Sequence, residues 1–380
     1  MKKVIILAAS VVLLASCTGR KTSTEEVEIN TDSTTVVAEE PTDTKGYDLE
    51  AIAKVIEGAE TVMGFREGRA SVVKDGKLGV IDKKGNIIIP FEYGYSVYKY
   101  TEGILCCHKE DTRYYFDHDG KLLFTSEYGG SCQFHDGLAC IYKDGKYTYI
   151  DKTGKLAFDE EWEWAEDFSD GMALVMGDNG WGFIDTTGKL VIPYQYDSPS
   201  ERNPEGFHEG LAAVIIDPTR ELFGYIDKTG KQVFPKLYPF DSQFSEGLAN
   251  VYDREIERYV YIDKTGKTVI TLDEGDTGSD FSEGLSFIHK NGTSYACINK
   301  KGEQVFSLPD TYKDVHRFSE GRALVWDGTA YGFIDTTGKL VIPCEYTCYE
   351  GFSEGMVPVQ KDGKSGYLDR EGNSTFDYNQ

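Results

Sequence analysis

Apolar and polar positions alternate along this chain in short runs that restart at regular intervals. Each run begins after an acid–glycine pair preceded by an aromatic residue, as in "FREG" and "FSEG". Nine such pairs end at Gly68, Gly103, Gly137, Gly171, Gly210, Gly247, Gly284, Gly321 and Gly355, mostly 34 to 37 residues apart and once 39. Two residues after the glycine the side chain is usually small, as at Ala70, Ala139, Ala173, Ala212 and Ala249. Four residues after it the side chain is usually β-branched, as at Val72, Ile141, Val175, Val214 and Val325. Positions two apart share a face of an extended chain, so the pattern predicts a strand with one tightly packed side. A second strand ends aromatic-Ile-Asp and runs into "DKTG" or "DTTG". A third, "KLVIP" or "NIIIP", often closes on a proline, which cannot donate to a ladder.

The strand–turn–strand segment "GFIDTTGKLVIP" occurs unchanged at Gly182–Pro193 and Gly332–Pro343. It belongs to units four and eight of nine. Asp185 with Gly188, and Asp335 with Gly338, are read as structural turns: the carboxylate accepts a backbone N–H two residues on, and glycine takes a positive φ. Unit seven carries Asn299 at the aspartate position. An amide keeps the acceptor and loses the charge, which suits a turn and not an acid–base catalyst. The acids of the acid–glycine pairs have no amide replacement: Glu67, Glu102, Asp136, Asp170, Glu209, Glu246, Glu283, Glu320 and Glu354. A row of carboxylates repels itself unless each is satisfied. Capping of nearby backbone N–H groups is the expected answer, and a bound Ca²⁺ row is the sharper alternative.

Trp181-Gly182 inside "GWGFIDTTGKLVIP", together with "FSEGLA", resembles the WG-containing repeat family of bacteria. The resemblance spans about residues 55–378. Most units replace the tryptophan, as at Tyr331-Gly332, Phe223-Gly224 and Leu78-Gly79. It implies an all-β repeat scaffold of about 35 residues per unit, with no defined activity. Repeats of three or four strands can stack openly or close into a ring. Nine blades exceed the usual range of four to eight, and uneven spacing suits a stack, so an open solenoid-like array is expected. β-Propeller-like closure is the alternative.

The N-terminus reads differently. Lys2 and Lys3 precede an apolar run too short to span a bilayer comfortably. The run ends in "LASC", which resembles the lipobox of bacterial lipoproteins. That resemblance implies a signal peptide over 1–16, lipidation of Cys17, and acyl chains that hold the protein to a membrane. Residues 17–46 are rich in Thr, Glu and Asp without an apolar period, and read as a disordered tether. The repeat array is assigned to 47–380. With 64 acidic and 40 basic residues, the formal net charge is −24. So negative a surface repels phosphate backbones and argues against nucleic-acid binding.

Catalytic motifs are absent: no nucleophile elbow, no H-E-x-x-H, no phosphate-binding loop and no dinucleotide fingerprint. Departures from the repeat are the more informative places. "DEEWEWAED" puts Trp162 and Trp164 on one face if extended, where they could stack on a sugar ring or a partner side chain. Trp181, and the inserted turns bearing Arg220 and Arg254, are further binding candidates. Cys106 and Cys140 occupy equivalent places 34 apart in adjacent units, and Cys344 and Cys348 are close in sequence. Both pairs are disulfide candidates in an oxidising compartment. The resulting expectation is a membrane-anchored envelope lipoprotein whose β-repeat array presents a surface to protein or glycan ligands. A carbohydrate-active enzyme with paired carboxylates and a purely structural spacer are the rivals.

Overall fold

The computed structural model describes residues 46–94, 99–196 and 206–378. The expected signal peptide, Cys17 and nearly all of the expected tether lie outside the described residues. Nine separate antiparallel sheets of two to four strands follow one another along the chain. Unit four shows the full pattern. Its strands Trp164–Ala165, Met172–Gly177, Gly180–Asp185 and Leu190–Tyr196 lie side by side in chain order. In units five and nine the sheet has two strands, extended by isolated bridges such as Phe223↔Tyr238 and Thr347↔Gln360.

Two local features shape the units, the first in all nine and the second only where its glycine is kept; Thr148 and Val260, for example, replace it in units three and six. The acid–glycine pair is a two-residue hairpin: in all nine copies the acid has φ between 50° and 56° and the glycine between 73° and 87°. Such left-handed pairs match the twist of the flanking strands. Glycine adopts this conformation freely, but glutamate does so at a cost of roughly 1–2 kcal/mol. The second feature is the glycine of the Trp-Gly pair. At Gly182 an added Cβ would lie 2.6 Å from the Ile192 carbonyl oxygen, and at Gly332 2.6 Å from that of Ile342. The register shifts between Trp181 and Phe183 at this point. The glycine therefore lets the next strand approach across a bulge.

The core is distributed over nine seams, each built from two neighbouring units. Between units four and five, Leu174, Phe183 and Ile192 meet Phe207, Val214 and Ile226. The same arrangement joins units nine and one, where Met356 and Tyr367 pack with Phe65, Val72 and Ile81. The array therefore closes. The propeller-like alternative holds, and the open stack expected from unit count and spacing is corrected. Each unit is apolar on both lateral faces, so an open stack would leave two such faces in water; closure buries them against each other.

Closure uses no strand exchange. Ser353 Oγ donates to the Phe65 carbonyl and Tyr367 Oη to that of Met63, each at 2.7 Å. Lys99 of unit two meets Glu350 of unit nine at 3.0 Å. Gly64 of unit one leaves room for this, since a Cβ there would lie 2.9 Å from Glu350 Oε2. A helix not expected from the sequence, Leu49–Ile56, seals the seam with buried Ile52 and Ile56. Asp48 caps it by accepting the Ala51 N–H at 2.9 Å. Among the described residues no helix is long and apolar enough to cross a membrane.

Candidate functional site

Antiparallel strands put the acid–glycine and Asp-x-x-Gly turns at one end of every unit. The hairpin joining the two central strands lies at the other end. The ring thus has two chemically different faces.

On the first face, each acid of an acid–glycine pair accepts the glycine N–H of the next unit. Glu67 accepts from Gly103 at 2.8 Å, Glu246 from Gly284 at 2.9 Å and Glu320 from Gly355 at 2.7 Å. The cycle is completed by Glu354, which accepts from Gly68 at 2.9 Å. Lysines of the following unit reinforce it: Lys152–Glu102, Lys264–Glu209, Lys300–Glu246 and Lys83–Glu354, all at 3.0 Å. Burial raises the pKa of Glu102, Glu209 and Glu246, but the lysine and glycine hydrogen bonds outweigh it, and all three fall below the ordinary glutamate range. The capping role expected of these acids is what the geometry shows. Among the described residues no group of three or more His, Cys, Asp or Glu is placed to hold a metal.

In the Asp-x-x-Gly turns the aspartate accepts backbone N–H groups from the residues that follow it. Asp185 Oδ1 accepts the Thr187 and Lys189 N–H groups at 2.9 and 3.2 Å, and Gly188 has φ 81°. Asp335 repeats this with Thr337 and Lys339, and Gly338 has φ 83°. Asn299 makes the same two contacts with Lys301 and Glu303. The Thr187 hydroxyl, then the backbone donors, hold the Asp185 carboxyl below the usual range against the effect of burial.

The second face carries cross-strand aromatic pairs. His289 stacks on Tyr295 with centroids 4.5 Å apart, and Trp326 lies over Tyr331 at 6.2 Å. Tyr331 also meets His316 and, from unit nine, Tyr349 at 6.0 Å. Tyr349 is 77% exposed, the most exposed large aromatic among the described residues. It also lines a cavity of about 390 Å³ at the closing seam, with Val62, Met63, Pro358, Lys99 and Glu350. Apolar walls, one carboxylate and one ammonium meet there beside an exposed aromatic cluster. Acidic Asp314 lies near: after burial, it is the next cause raising the pKa of Tyr295 and Tyr331.

The residues singled out from sequence are scattered around this ring. Trp162 is 5% exposed and donates from Nε1 to Tyr194 Oη at 3.1 Å; Trp181 is 4% exposed. Both are core. Trp164 is 37% exposed, with Nε1 held by Glu166 at 2.7 Å and its ring 5.0 Å from Tyr147. The expected shared face of Trp162 and Trp164 is corrected. Trp162 bridges Tyr147 of unit three, whereas Trp164 pairs with Met176 of unit four, so the chain changes sheets between them. Arg220 is exposed and tied to Asp217 at 2.8 Å; Arg254 is exposed on the neighbouring unit.

All seven described cysteines are free. Equivalent positions point the same way around the ring, so Cys106 and Cys140 do not face each other. Cys106 packs in the seam of units two and three, whereas Cys140 donates to the Ala165 carbonyl in the next seam. Cys348 is turned to the Glu350 and Pro358 carbonyls, and Cys344 packs in the seam of units seven and eight, so that pairing is corrected too. Among the described residues two carboxyls have raised pKa values: Asp167, by burial, beside Ser131, and Asp280, by burial, near Arg317. They sit in units four and seven with separate partners, and form no pair. The seam cavity was not legible in sequence, because its walls come from both ends of the array. The one available signal was Tyr349 next to Glu350 in an otherwise repeating segment.

The family model described as "WG containing repeat" matches residues 79–106, 147–180, 181–217, 223–253, 295–325 and 331–364, just over half of the chain. No curated protein matches it. Among solved structures, a eukaryotic initiation factor is similar with a TM-score of 0.59 at 11% identity, covering 81% of this chain and 95% of that one. At this identity the likeness concerns the fold alone. Two weaker likenesses are the computationally designed Ika8 protein (TM-score 0.43, 14% identity, 74% and 98% covered) and BamB from Moraxella catarrhalis (0.41, 12%, 71% and 94%).

Proposed function

The chain belongs to the WG-containing repeat family, and from that premise we propose that it is a binding scaffold, lipid-anchored in the bacterial envelope through Cys17, that captures a basic segment of a protein ligand at its closing seam. The observation that carries this reading is the seam cavity flanked by Tyr349. A cavity of about 390 Å³ lies within the size range of ligand pockets, at its lower end. Aromatic residues are enriched in protein interfaces, and Tyr331, Tyr349 and Trp326 offer ring faces to a cation. Glu350 is already paired with Lys99, so Asp314 and the net charge of −24 are what favour a ligand rich in Lys or Arg. A ring gains no length from added units, so closure favours binding over a spacer role. The anchor rests on "LASC" ending at Cys17.

The test is a set of fluorescent peptides of equal length, one rich in Lys and Arg and one neutral, titrated into the full chain. The basic peptide binds, and Tyr349→Ala weakens it by about tenfold, as loss of an interface aromatic does. Equal binding of both peptides, or no effect of Tyr349→Ala, sinks the reading. The anchor is tested separately by metabolic labelling with an alkyne fatty acid, which labels the wild type and not Cys17→Ala.

A further inference from the structure

We infer that Cys106 and Cys132 are the site of a disulfide that joins unit two to unit three when an oxidised small-molecule disulfide is present. Cys106 lies on the strand Ile104–Lys109, where successive side chains face opposite seams. Cys107 therefore enters the cluster between units one and two, and Cys106 the cluster between units two and three. Cys132 enters that second cluster from the irregular segment ahead of Phe134–His135, with φ 60°. The two thiols neighbour each other inside this cluster, with Cys132 Sγ also reaching the Gly130 carbonyl at 3.4 Å. Tyr115, the cross-strand partner of Cys106, packs against the same place. Cys140 is directed away, to the Ala165 carbonyl. Cys297 and Cys344 also share a seam from two units, but burial and not a neighbouring thiol dominates the surroundings of each.

The surroundings give the pair a direction of reaction. The neighbouring Cys106 thiol lowers the Cys132 pKa; burial opposes this, and Tyr115 and the Arg113 guanidinium reinforce it. Cys106 is pushed the other way, by the neighbouring Cys132 thiol and by burial. Cys132 is thus the attacking thiolate and Cys106 the resolving thiol. Both are at most 3% exposed, so an oxidant reaches them during folding or when the segment carrying Cys132 opens locally. With oxidised glutathione, the Cys132 thiolate attacks one glutathione sulfur and a glutathione thiolate leaves. Cys106 gives its proton to solvent, its thiolate attacks the Cys132 sulfur, and the second glutathione leaves. The protein loses two electrons and two protons; one glutathione disulfide becomes two thiols. The bond closes a loop of about 25 residues, a length at which cross-links stabilise appreciably.

The full chain is refolded with oxidised or with reduced glutathione, denatured in acid, alkylated with N-ethylmaleimide and weighed. The oxidised sample carries two labels fewer. Trypsin yields a cross-link between peptides 100–109 and 122–143, which persists in Cys107→Ala and Cys140→Ala and disappears in Cys106→Ser and Cys132→Ser. Its Tm exceeds that of the reduced sample by roughly 3–5 °C. Full labelling of the oxidised sample, or a cross-link that survives Cys132→Ser, overturns the inference. Peptide mapping of the wild type decides it even if a variant fails to fold.

Discussion

Glu354→Ala tests ring closure directly, because Glu354 is the one acid of its row whose acceptor contact joins the two ends of the array. The carboxylate accepts the Gly68 N–H at 2.9 Å and meets Lys83 at 3.0 Å. A hydrogen bond to a charged acceptor contributes about 1.5–3 kcal/mol, and the orphaned N–H lies in a half-buried seam. Both side chains of the ion pair are about a third exposed, so solvent screening limits it to at most about 1 kcal/mol. The left-handed φ of 54° is equally unfavourable for alanine, so strain cancels. The expected loss is about 2–4 kcal/mol. At about 2.1 cal/mol/K per residue over the folded ring, that is a fall in Tm of roughly 3–6 °C. The matched control is Glu246→Ala, which removes the same contacts with Gly284 and Lys300 inside the array. Both variants are melted by circular dichroism and unfolded in urea. Closure predicts equal losses. If Glu246→Ala costs the full amount while Glu354→Ala stays within about 0.5 kcal/mol, as an ordinary surface change would, the ring is not closed.

Other outcomes follow from the same geometry. Asp185→Asn keeps the acceptor for Thr187 and Lys189 and should cost under about 0.5 kcal/mol, whereas Asp185→Ala should cost about 1–2 kcal/mol in urea unfolding; Asn299 is the natural precedent. Gly182→Ala puts a Cβ 2.6 Å from the Ile192 carbonyl and should lower stability by about 2 kcal/mol or more, with amide exchange accelerating in Leu190–Tyr196. The lowered pKa values of Glu102, Glu209 and Glu246 give stability that is complete above their ordinary value of 4.5 and is lost as pH falls through the depressed folded values. A melt series from pH 6 to pH 2 should show that loss. At the alkaline end, burial raises Tyr149 and Tyr367 well above 10.0, so their contribution is complete below pH 10 and is lost above it; tyrosinate absorbance should appear together with unfolding.

What the sequence determined by itself was everything contained within about 35 residues. The alternation after each acid–glycine pair, the Asp-x-x-Gly turns and the small residues of the packed face need only neighbouring backbone for their meaning, so Asp185, Gly188, Asp335 and Gly338 were legible at once. The capping role of Glu67 and its eight equivalents was legible too, but not its direction: the N–H each one accepts lies in the next unit. Tertiary structure alone decided what depends on the angle between units. A small rotation repeated nine times either closes or does not, and no residue inside one unit records the sum. Packing across seams put Cys106 with Cys132 and apart from Cys140, and a change of sheet separated Trp162 from Trp164. The rotation between units also brought Glu350 beside Lys99 and Met63, 251 and 287 positions away in sequence, which is why the seam cavity exists only once the ring is closed.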